Sequence, residues 1–308
     1  MNFNKILITG STGMVGKNLK ESLECSSYNL ITPSRSELDL CNKKNVEDFI
    51  YQTKPDLIIH CAGKVGGIQA NINNHIQALT ENFDMGRNLV MAAYKNNVKN
   101  FLNIASSCVY PKNIQGLLKE EMILQGGLEP TNEGYALGKI GVLKLCQYID
   151  NESEIFKYKT LIPCNLYGKY DSFNPEKSHL IPAIIRKIDL AISNNSDQVE
   201  IWGDGLARRE FMYTGDLADF ITKAIKRFED IPNVINVGLG FDYSINDYYK
   251  FTAEVLNYKG NFIYDKSKPQ GMKKKTTDIT LLKKFGWDAN TSLIEGLQKT
   301  YQYYISEK

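Results

Sequence analysis

Hydrophobic positions in the first half of the chain alternate between short runs and helical stripes. Lys5–Thr9 has the composition of a buried parallel strand, and Val15, Leu19 and Leu23 then recur on one face of a helix. Further strand-like runs follow at intervals filled by helical stretches: Asn29–Thr32, Asp56–His60, Phe101–Ala105 and Lys159–Pro163. This alternation predicts an α/β fold with a doubly wound parallel sheet.

The alternation of predicted strands and helices becomes less regular after Gly168. A helix is predicted up to about Ser193, a strand at Asn233–Val237 and further helices at Ile245–Leu256 and from about Leu293. We therefore expect a nucleotide-binding domain at residues 1–168. Residues 169–308 are expected to form a smaller C-terminal α/β substrate region, interleaved with returns to the main sheet.

Composition narrows the class of protein. The chain has 308 residues, 43% hydrophobic and 23% charged, with a net charge of +2. These values are typical of a soluble globular protein and argue against a surface that coats nucleic acid. No apolar run is long enough to cross a membrane, and no signal-peptide pattern opens the chain. The six cysteines show no C-x-x-C pair, so we expect a reduced, cytoplasmic protein with no metal site.

A glycine-rich turn follows the first strand. Gly10-Ser-Thr-Gly13-Met-Val-Gly16 stands between a predicted strand and a predicted helix, the context that a dinucleotide-binding turn requires. Glycines let the backbone approach a pyrophosphate, whose charge the helix N-terminus stabilises. The sheet is therefore expected to be of the Rossmann type. The alternative is a glycine turn that binds no ligand.

The end of the second strand indicates which dinucleotide is bound. An NAD site usually has an acidic residue there, whereas this chain reads Pro33-Ser34-Arg35. An arginine can hold a 2′-phosphate, so NADP(H) is favoured. The alternative is a solvated Arg35, with Glu37 as a displaced ribose ligand.

Tyr135 and Lys139 are four positions apart in a predicted helix that reaches about Asp150. That spacing puts both side chains on one face. A free phenol has a pKa of about 10, and a neighbouring ammonium is expected to lower it towards the range useful for proton transfer. Ser106 follows the fourth strand, where parallel sheets place ligands. Without this context, a surface tyrosine packed on a lysine stem is the more common arrangement.

Together these residues resemble the extended short-chain dehydrogenase/reductase family, and within it the enzymes of the GDP-L-fucose synthase type. The shared motifs run from residue 10 to residue 269. Besides the glycine turn, Ser106 and the Tyr135–Lys139 pair, the matching segments are Lys64-Val-Gly-Gly-Ile68, Ser106-Ser-Cys-Val-Tyr-Pro111, Leu128-Glu-Pro-Thr-Asn-Glu133, Asn165-Leu-Tyr-Gly168, Ser178-His-Leu-Ile-Pro182, Trp202-Gly, Arg209-Glu-Phe211 and Ser267-Lys-Pro269.

The resemblance implies a reaction and a set of residues. A GDP-4-keto-6-deoxy sugar would be epimerised at C3 and C5 by Cys108 and His179, and then reduced at C4 by NADPH with help from Ser106, Tyr135 and Lys139. The implied cofactor residues are Gly10, Ser11, Thr12, Gly13, Met14, Val15, Gly16, Arg35, Asp39, Leu40, Ala105, Ser106, Tyr135, Lys139, Pro163, Asn165, Leu166 and His179. The implied substrate residues are Ser107, Cys108, Asn165, Lys187, Trp202, Arg209 and Lys268. The resemblance also implies a homodimer that pairs the helices at Asn71–Ala93 and Tyr135–Asp150.

Several of these residues could instead have a purely structural role. Cys108 could be a small buried hydrophobe and His179 a helix-start residue, while Lys187 could be a solvated helix lysine. We interpret the Lys273–Lys275 run as a solvated loop, and His60 as a strand-end residue.

The chain also departs from the family pattern around the sugar and the cofactor, at Thr12, Gly134, Cys164, Tyr213 and Gly215. These departures leave a second reading open, a C4 reductase that does not epimerise and acts on a related GDP-4-keto sugar such as a heptose. A third hypothesis is a non-catalytic sensor of NADP or of a nucleotide sugar. The presence of Ser106, Tyr135 and Lys139 argues against it, because a sensor does not need these catalytic groups.

Overall fold

The computed structural model describes residues 3–24, 26–66, 74–175, 178–268 and 272–308. The strands are β1 (Lys5–Thr9), β2 (Asn29–Ile31), β3 (Leu57–His60), β4 (Asn100–Ile104), β5 (Lys157–Pro163), β6 (Asn165–Tyr167), β7 (Gln198–Trp202), β8 (Arg208–Arg209), β9 (Phe211–Tyr213), β10 (Val234–Val237), β11 (Tyr243–Ser244), β12 (Asn261–Asp265) and β13 (Lys274–Lys275). The helices are α1 (Met14–Leu23), α2 (Lys43–Thr53), α3 (His75–Lys95), α4 (Glu133–Glu152), α5 (Leu180–Ser193), α6 (Thr214–Lys226), α7 (Ile245–Val255), α8 (Thr280–Phe285) and α9 (Leu293–Ser306).

The main sheet has the strand order β10-β5-β4-β3-β1-β2, and every pairing in it is parallel. Its carboxyl ends lie in register, with Thr9 beside His60 and His60 beside Asn103. The residues that follow these strands therefore meet along one edge, where an open α/β sheet binds its ligands.

Alternation along β1 explains why helices cover both faces of this sheet. Ile6 and Ile8 lie in one buried cluster, with the apolar face of α6, whereas Leu7 lies in the opposite cluster, with residues of α2, α3 and α4. All three side chains are fully buried. A strand buried on both sides gains from an uninterrupted apolar sequence, which is what Lys5–Thr9 supplies.

The rest of the chain builds a smaller layer with its own core. It contains the pairs β7–β12 and β6–β9 and the three-stranded sheet β11-β8-β13. Helices α5, α7 and α9 pack against these strands through a separate buried cluster. The strand β10 and the helix α6 instead join the main sheet and its covering layer. The division at residue 168 stays a prediction.

The predicted doubly wound sheet is confirmed, with element ends shifted by a few residues. The short strands β8, β11 and β13 were not predicted, because two residues are too few to show a periodicity. The helix α2 was also not predicted. The predicted helix start at Asn71, and the last residues of the Lys64–Ile68 and Ser267–Pro269 motifs, lie outside the described residues. Within the described ranges, no helix is long and apolar enough to cross a membrane.

Candidate active site

The glycine turn connects β1 to α1 at the ligand-binding edge. Gly10 has φ +70°, and a Cβ there would lie 2.6 Å from the backbone nitrogen of Ala62. The sequence therefore needs glycine to let the loop after β3 approach. Ser11 is buried and donates a hydrogen bond to the Pro33 carbonyl. Helix α1 begins at Met14 with no acidic residue in its first turn. The N-terminus of α1 is thus suited to an anion such as a pyrophosphate.

The loop after β2 presents Arg35 to solvent. Glu37, the alternative ribose ligand, accepts hydrogen bonds from the Ser34 nitrogen and hydroxyl, both at 2.7 Å. The carboxylate of Glu37 is therefore engaged within the turn, while Arg35 extends from it. Further along the same loop, the Asp39 carboxylate accepts a hydrogen bond from the Cys41 nitrogen, and the Leu40 side chain is buried.

Tyr135 and Lys139 are both buried on one face of α4, as their spacing predicted. The Lys139 ammonium donates to the Ile104 carbonyl at 3.1 Å and to the Ala62 carbonyl at 3.4 Å. It thereby joins α4 to the ends of β3 and β4. The Ser106 side chain lies near the Tyr135 phenol and acts to lower the pKa of Tyr135. Serine, tyrosine and lysine thus converge at the carboxyl edge of the sheet.

The ionisation of Tyr135 differs from the prediction. Burial raises the pKa of Tyr135 well above its usual value, and the neighbouring Ser106 offsets this only in part. Burial also lowers the pKa of Lys139 to about 8, so its ammonium is still mostly protonated at neutral pH. The expectation that Lys139 gives Tyr135 a lowered pKa is wrong here, because desolvation of the phenolate dominates and Lys139 is not among the groups that act on this pKa. A protonated phenol is the form that donates a proton.

Gly134, one of the departures from the family pattern, has a packing reason. A Cβ at this position would lie 2.4 Å from the His75 carbonyl oxygen, at the first residue of α3. The start of α4 therefore packs directly on the start of α3. This contact fixes the height of Tyr135, the next residue, above the sheet edge.

Cys108 and His179 lie in different elements. Cys108 lies in the 3-10 turn Ser107–Val109, whose N-cap is Ser106, and burial raises the pKa of its thiol. Lys275, Ser106 and Lys139 act in the opposite direction on that pKa. His179 precedes α5 without capping it, and burial lowers the pKa of its imidazole. At neutral pH the thiol is therefore protonated and the imidazole is neutral.

The residues at the ends of β4 and β5, where the nicotinamide is expected to bind, are closely packed. Ala105 and Cys164 are buried, and the Asn165 amide donates to the Glu210 carbonyl at 2.8 Å. Pro163 closes β5, and Leu166 is half-buried in β6. His60, by contrast, is a buried strand-end residue bonded to the Thr9 hydroxyl at 2.8 Å, and burial lowers its pKa to about 3. It is a neutral structural histidine, as expected.

Three of the predicted substrate residues meet around one indole. The Lys187 ammonium lies 5.1 Å from the Trp202 ring centroid and that of Lys268 lies 5.6 Å from it. Lys187 also donates to the Glu200 carbonyl at 3.0 Å. It is therefore not a freely solvated helix lysine. Trp202 remains 49% exposed, so an aromatic surface flanked by two cations is open to a ligand.

Lys275 is the site residue that sequence reasoning missed. In the β8–β13 pair it stands beside Arg209, and its electrostatic neighbours are Cys108, Arg209, Cys164 and Glu210. Burial lowers its pKa. The interpretation of the Lys273–Lys275 run as a solvated loop is therefore wrong for its last member, although Lys273 and Lys274 are exposed. A two-residue strand gave no signal of this burial.

Arg209 shares that environment. Its guanidinium donates to the Met272 carbonyl at 2.5 Å and to the Arg208 carbonyl at 2.8 Å, and burial lowers its pKa. Arg209 and Lys275 give the pocket two neighbouring cations, which suits a diphosphate. Among the described residues, no cluster of three or more His, Cys, Asp or Glu side chains is arranged to hold a metal ion.

This fold and this site define a class. The chain belongs to the NAD dependent epimerase/dehydratase family, whose model matches residues 6–238. The match covers the main sheet, the glycine turn and the Ser106, Tyr135 and Lys139 set. The predicted family and fold class are confirmed.

Particular relatives narrow the comparison. The GDP-L-colitose synthase of Yersinia pseudotuberculosis is 56% identical over 304 residues, covering 99% of each chain. The GDP-L-fucose synthase of Azorhizobium caulinodans is 49% identical over 302 residues, covering 98% of this chain and 96% of the relative. A solved structure of a GDP-mannoheptose C4 reductase from Campylobacter jejuni with NADP bound has a TM-score of 0.88 and 30% identity, covering 98% of both chains.

Proposed function

We propose that this chain catalyses NADPH-dependent reduction at C4 of a GDP-4-keto-6-deoxy sugar, with epimerisation at C3 and C5. The observation that carries this proposal is the convergence of Ser106, Tyr135 and Lys139 beside Cys108 at the edge that also holds the glycine turn. The relatives named as GDP-L-fucose and GDP-L-colitose synthases support the substrate class.

The residues of the cofactor end fit a dinucleotide with a 2′-phosphate. The start of α1 has no acidic residue in its first turn and suits a pyrophosphate, and the exposed guanidinium of Arg35 follows β2. The NADP-bound relative supports the same cofactor. NADPH supplies the hydride when bound. Lys139 has its ammonium at the inner edge of this groove, where a nicotinamide ribose hydroxyl can accept from it.

Reduction needs a proton for O4. Tyr135 holds that proton, because burial keeps the phenol protonated over the working pH range. The Ser106 hydroxyl, which lies near Tyr135, can donate to O4 as negative charge develops there. The Lys139 ammonium stabilises the phenolate that remains after the transfer.

Epimerisation needs one proton acceptor and one proton donor. The C3 and C5 protons of a 4-keto sugar are acidic because each neighbours the carbonyl, so loss of either gives an enolate. The neutral imidazole of His179 can accept a proton and the protonated thiol of Cys108 can donate one.

The GDP moiety is assigned to the exposed indole and its cations. Trp202 can stack on guanine, with Lys187 and Lys268 beside it. Arg209 and Lys275 lie nearer to Cys108 and are assigned to the diphosphate and the sugar. Ser107, Cys108 and Asn165 complete the sugar side.

A second candidate is C4 reduction without epimerisation, on a related sugar such as a GDP-4-keto-heptose. The GDP-mannoheptose C4 reductase covers nearly the whole chain, and Cys164 departs from the family pattern close to the sugar. Both candidates use the same reduction machinery. The test is incubation with NADPH and a panel of GDP-4-keto sugars, with each product's C3, C4 and C5 configuration determined by NMR.

We further propose that the enzyme is a cytoplasmic homodimer paired through α3 and α4. Ile76, Leu137 and Tyr148 leave large apolar surfaces exposed on these helices, at 80%, 41% and 58%. Such a surface favours association. Sedimentation should show a dimer at micromolar concentration, and Tyr148→Glu together with Leu137→Glu should give a monomer. A wild-type monomer at that concentration would contradict the pairing.

A further inference from the structure

Glu210 is a buried carboxylate at the junction of segments that carry site residues. It follows Arg209 and is only 1% exposed. Its Oε1 accepts hydrogen bonds from the Leu239 and Gly240 nitrogens, at 2.5 and 2.9 Å. Its Oε2 accepts from the Thr277 nitrogen at 2.6 Å and from the Thr277 hydroxyl at 2.9 Å. Burial raises the pKa of Glu210, and these donors on both oxygens act against that rise by favouring the ionised carboxylate.

These bonds connect two elements of the substrate end. Thr277 is two residues beyond Lys275, and Lys275 pairs in register with Arg209, the residue before Glu210. The carboxylate therefore fixes the Lys275 strand against the Arg209 strand. The loop after β10 is held to the same carboxylate through Leu239 and Gly240, so the pair cannot shift independently of the main sheet.

Glu210 also balances charge. Burial and the neighbouring Arg209 lower the pKa of Lys275, whereas Cys108, Cys164 and Glu210 raise it. Burial raises the pKa of both thiols, so they are uncharged at neutral pH. Of these four neighbours, Glu210 is thus the one that supplies a negative charge beside Lys275.

We propose that Glu210 is the positioning residue of the substrate end, holding the Lys275 strand in place and keeping Lys275 cationic beside Arg209. Glu210 does not touch the substrate in this account; it acts through Lys275. The identity of the bound anion, a nucleoside diphosphate, rests on the proposed function.

The test compares Glu210→Gln with Asp216→Asn, using GDP as the probe and calorimetric affinity as a function of pH. Asp216 is a matched control, because its carboxylate accepts from the Thr291 nitrogen and hydroxyl at 3.2 and 2.8 Å, away from Lys275. Loss of the Glu210 charge lowers the pKa of Lys275. GDP affinity in Glu210→Gln should therefore fall off about one pH unit earlier on the alkaline side. Asp216→Asn should keep the wild-type profile, and a wild-type profile in Glu210→Gln overturns the proposal.

Two further measurements keep the test decisive. Glu210→Asp retains the charge with a shorter side chain, so GDP should bind more weakly but with the wild-type pH profile; a shifted profile would overturn the role of the charge. An NMR titration of the Lys275 ammonium, assigned with Lys275→Met, needs no ligand. If the wild type does not bind GDP, the proposed function fails, while this titration still decides whether Glu210→Gln lowers the Lys275 pKa.

Discussion

The two ends of this site are assembled in different ways. At the cofactor end, each functional group belongs to a local motif: the glycine turn lies within one strand–helix unit, and Tyr135 and Lys139 share one helix face. At the substrate end, Cys108, Arg209 and Lys275 come from distant points of the chain and meet through short strands and a buried carboxylate. Residues in a local motif can be recognised from their spacing in the sequence. The arrangement at the substrate end depends instead on tertiary contacts. The substrate end is therefore where relatives of one fold can diverge in substrate.

The sharpest separation of the two ends is expected from Tyr135→Phe. The substitution keeps the ring but removes the transferable proton, so C4 reduction should fall by about 10²–10⁴-fold while NADPH still binds. Tyr148→Phe, on the exposed side of the same helix, is the control and should leave turnover unchanged. Stopped-flow loss of NADPH absorbance measures both, and near-normal turnover in Tyr135→Phe would show that another group protonates O4.

Lys275→Met should affect the substrate end alone. Loss of a charge-assisted contact of about 2 kcal/mol weakens GDP-sugar binding about 30-fold, with NADPH affinity retained. Lys273→Met, in the same lysine run but exposed, should bind both ligands normally. If calorimetry shows equal effects of the two variants on GDP binding, the whole Lys273–Lys275 run should be interpreted as a solvated loop.

Gly134→Ala should destabilise the cofactor end through packing. Its Cβ would lie 2.4 Å from the His75 carbonyl oxygen, whereas a Cβ at Gly127 meets nothing within 4 Å. We expect Gly134→Ala to lower the free energy of unfolding by about 1–3 kcal/mol and Gly127→Ala to have little effect. Denaturant unfolding measures both, and matching midpoints would refute the close contact between α3 and α4.

Arg35→Ala should give the smallest effect. Loss of one charged contact to the 2′-phosphate should weaken NADPH by about tenfold and leave NADH unchanged. The readout is kcat/KM for each cofactor. A wild type that uses both cofactors equally would remove the assignment of Arg35.

The sequence predicted the parallel strands of the main sheet and the shared helix face of Tyr135 and Lys139, because apolar periodicity and an i, i+4 spacing are local properties. It did not predict the protonation of Tyr135, since desolvation depends on everything packed around the ring. The site role of Lys275 was also hidden. Only the pairing of two-residue strands, fixed by Glu210 and Thr277, distinguishes Lys275 from the exposed lysines before it.

The central claim is that the substrate end epimerises and the cofactor end then reduces. Turnover of a GDP-4-keto-6-deoxy sugar with NADPH in D2O, followed by NMR of the product, tests it most directly. The account predicts deuterium at both C3 and C5 in the wild type, with exchange slowed in Cys108→Ser and in His179→Gln. A reduced product without deuterium at either carbon would contradict it, and the chain would then be a simple C4 reductase.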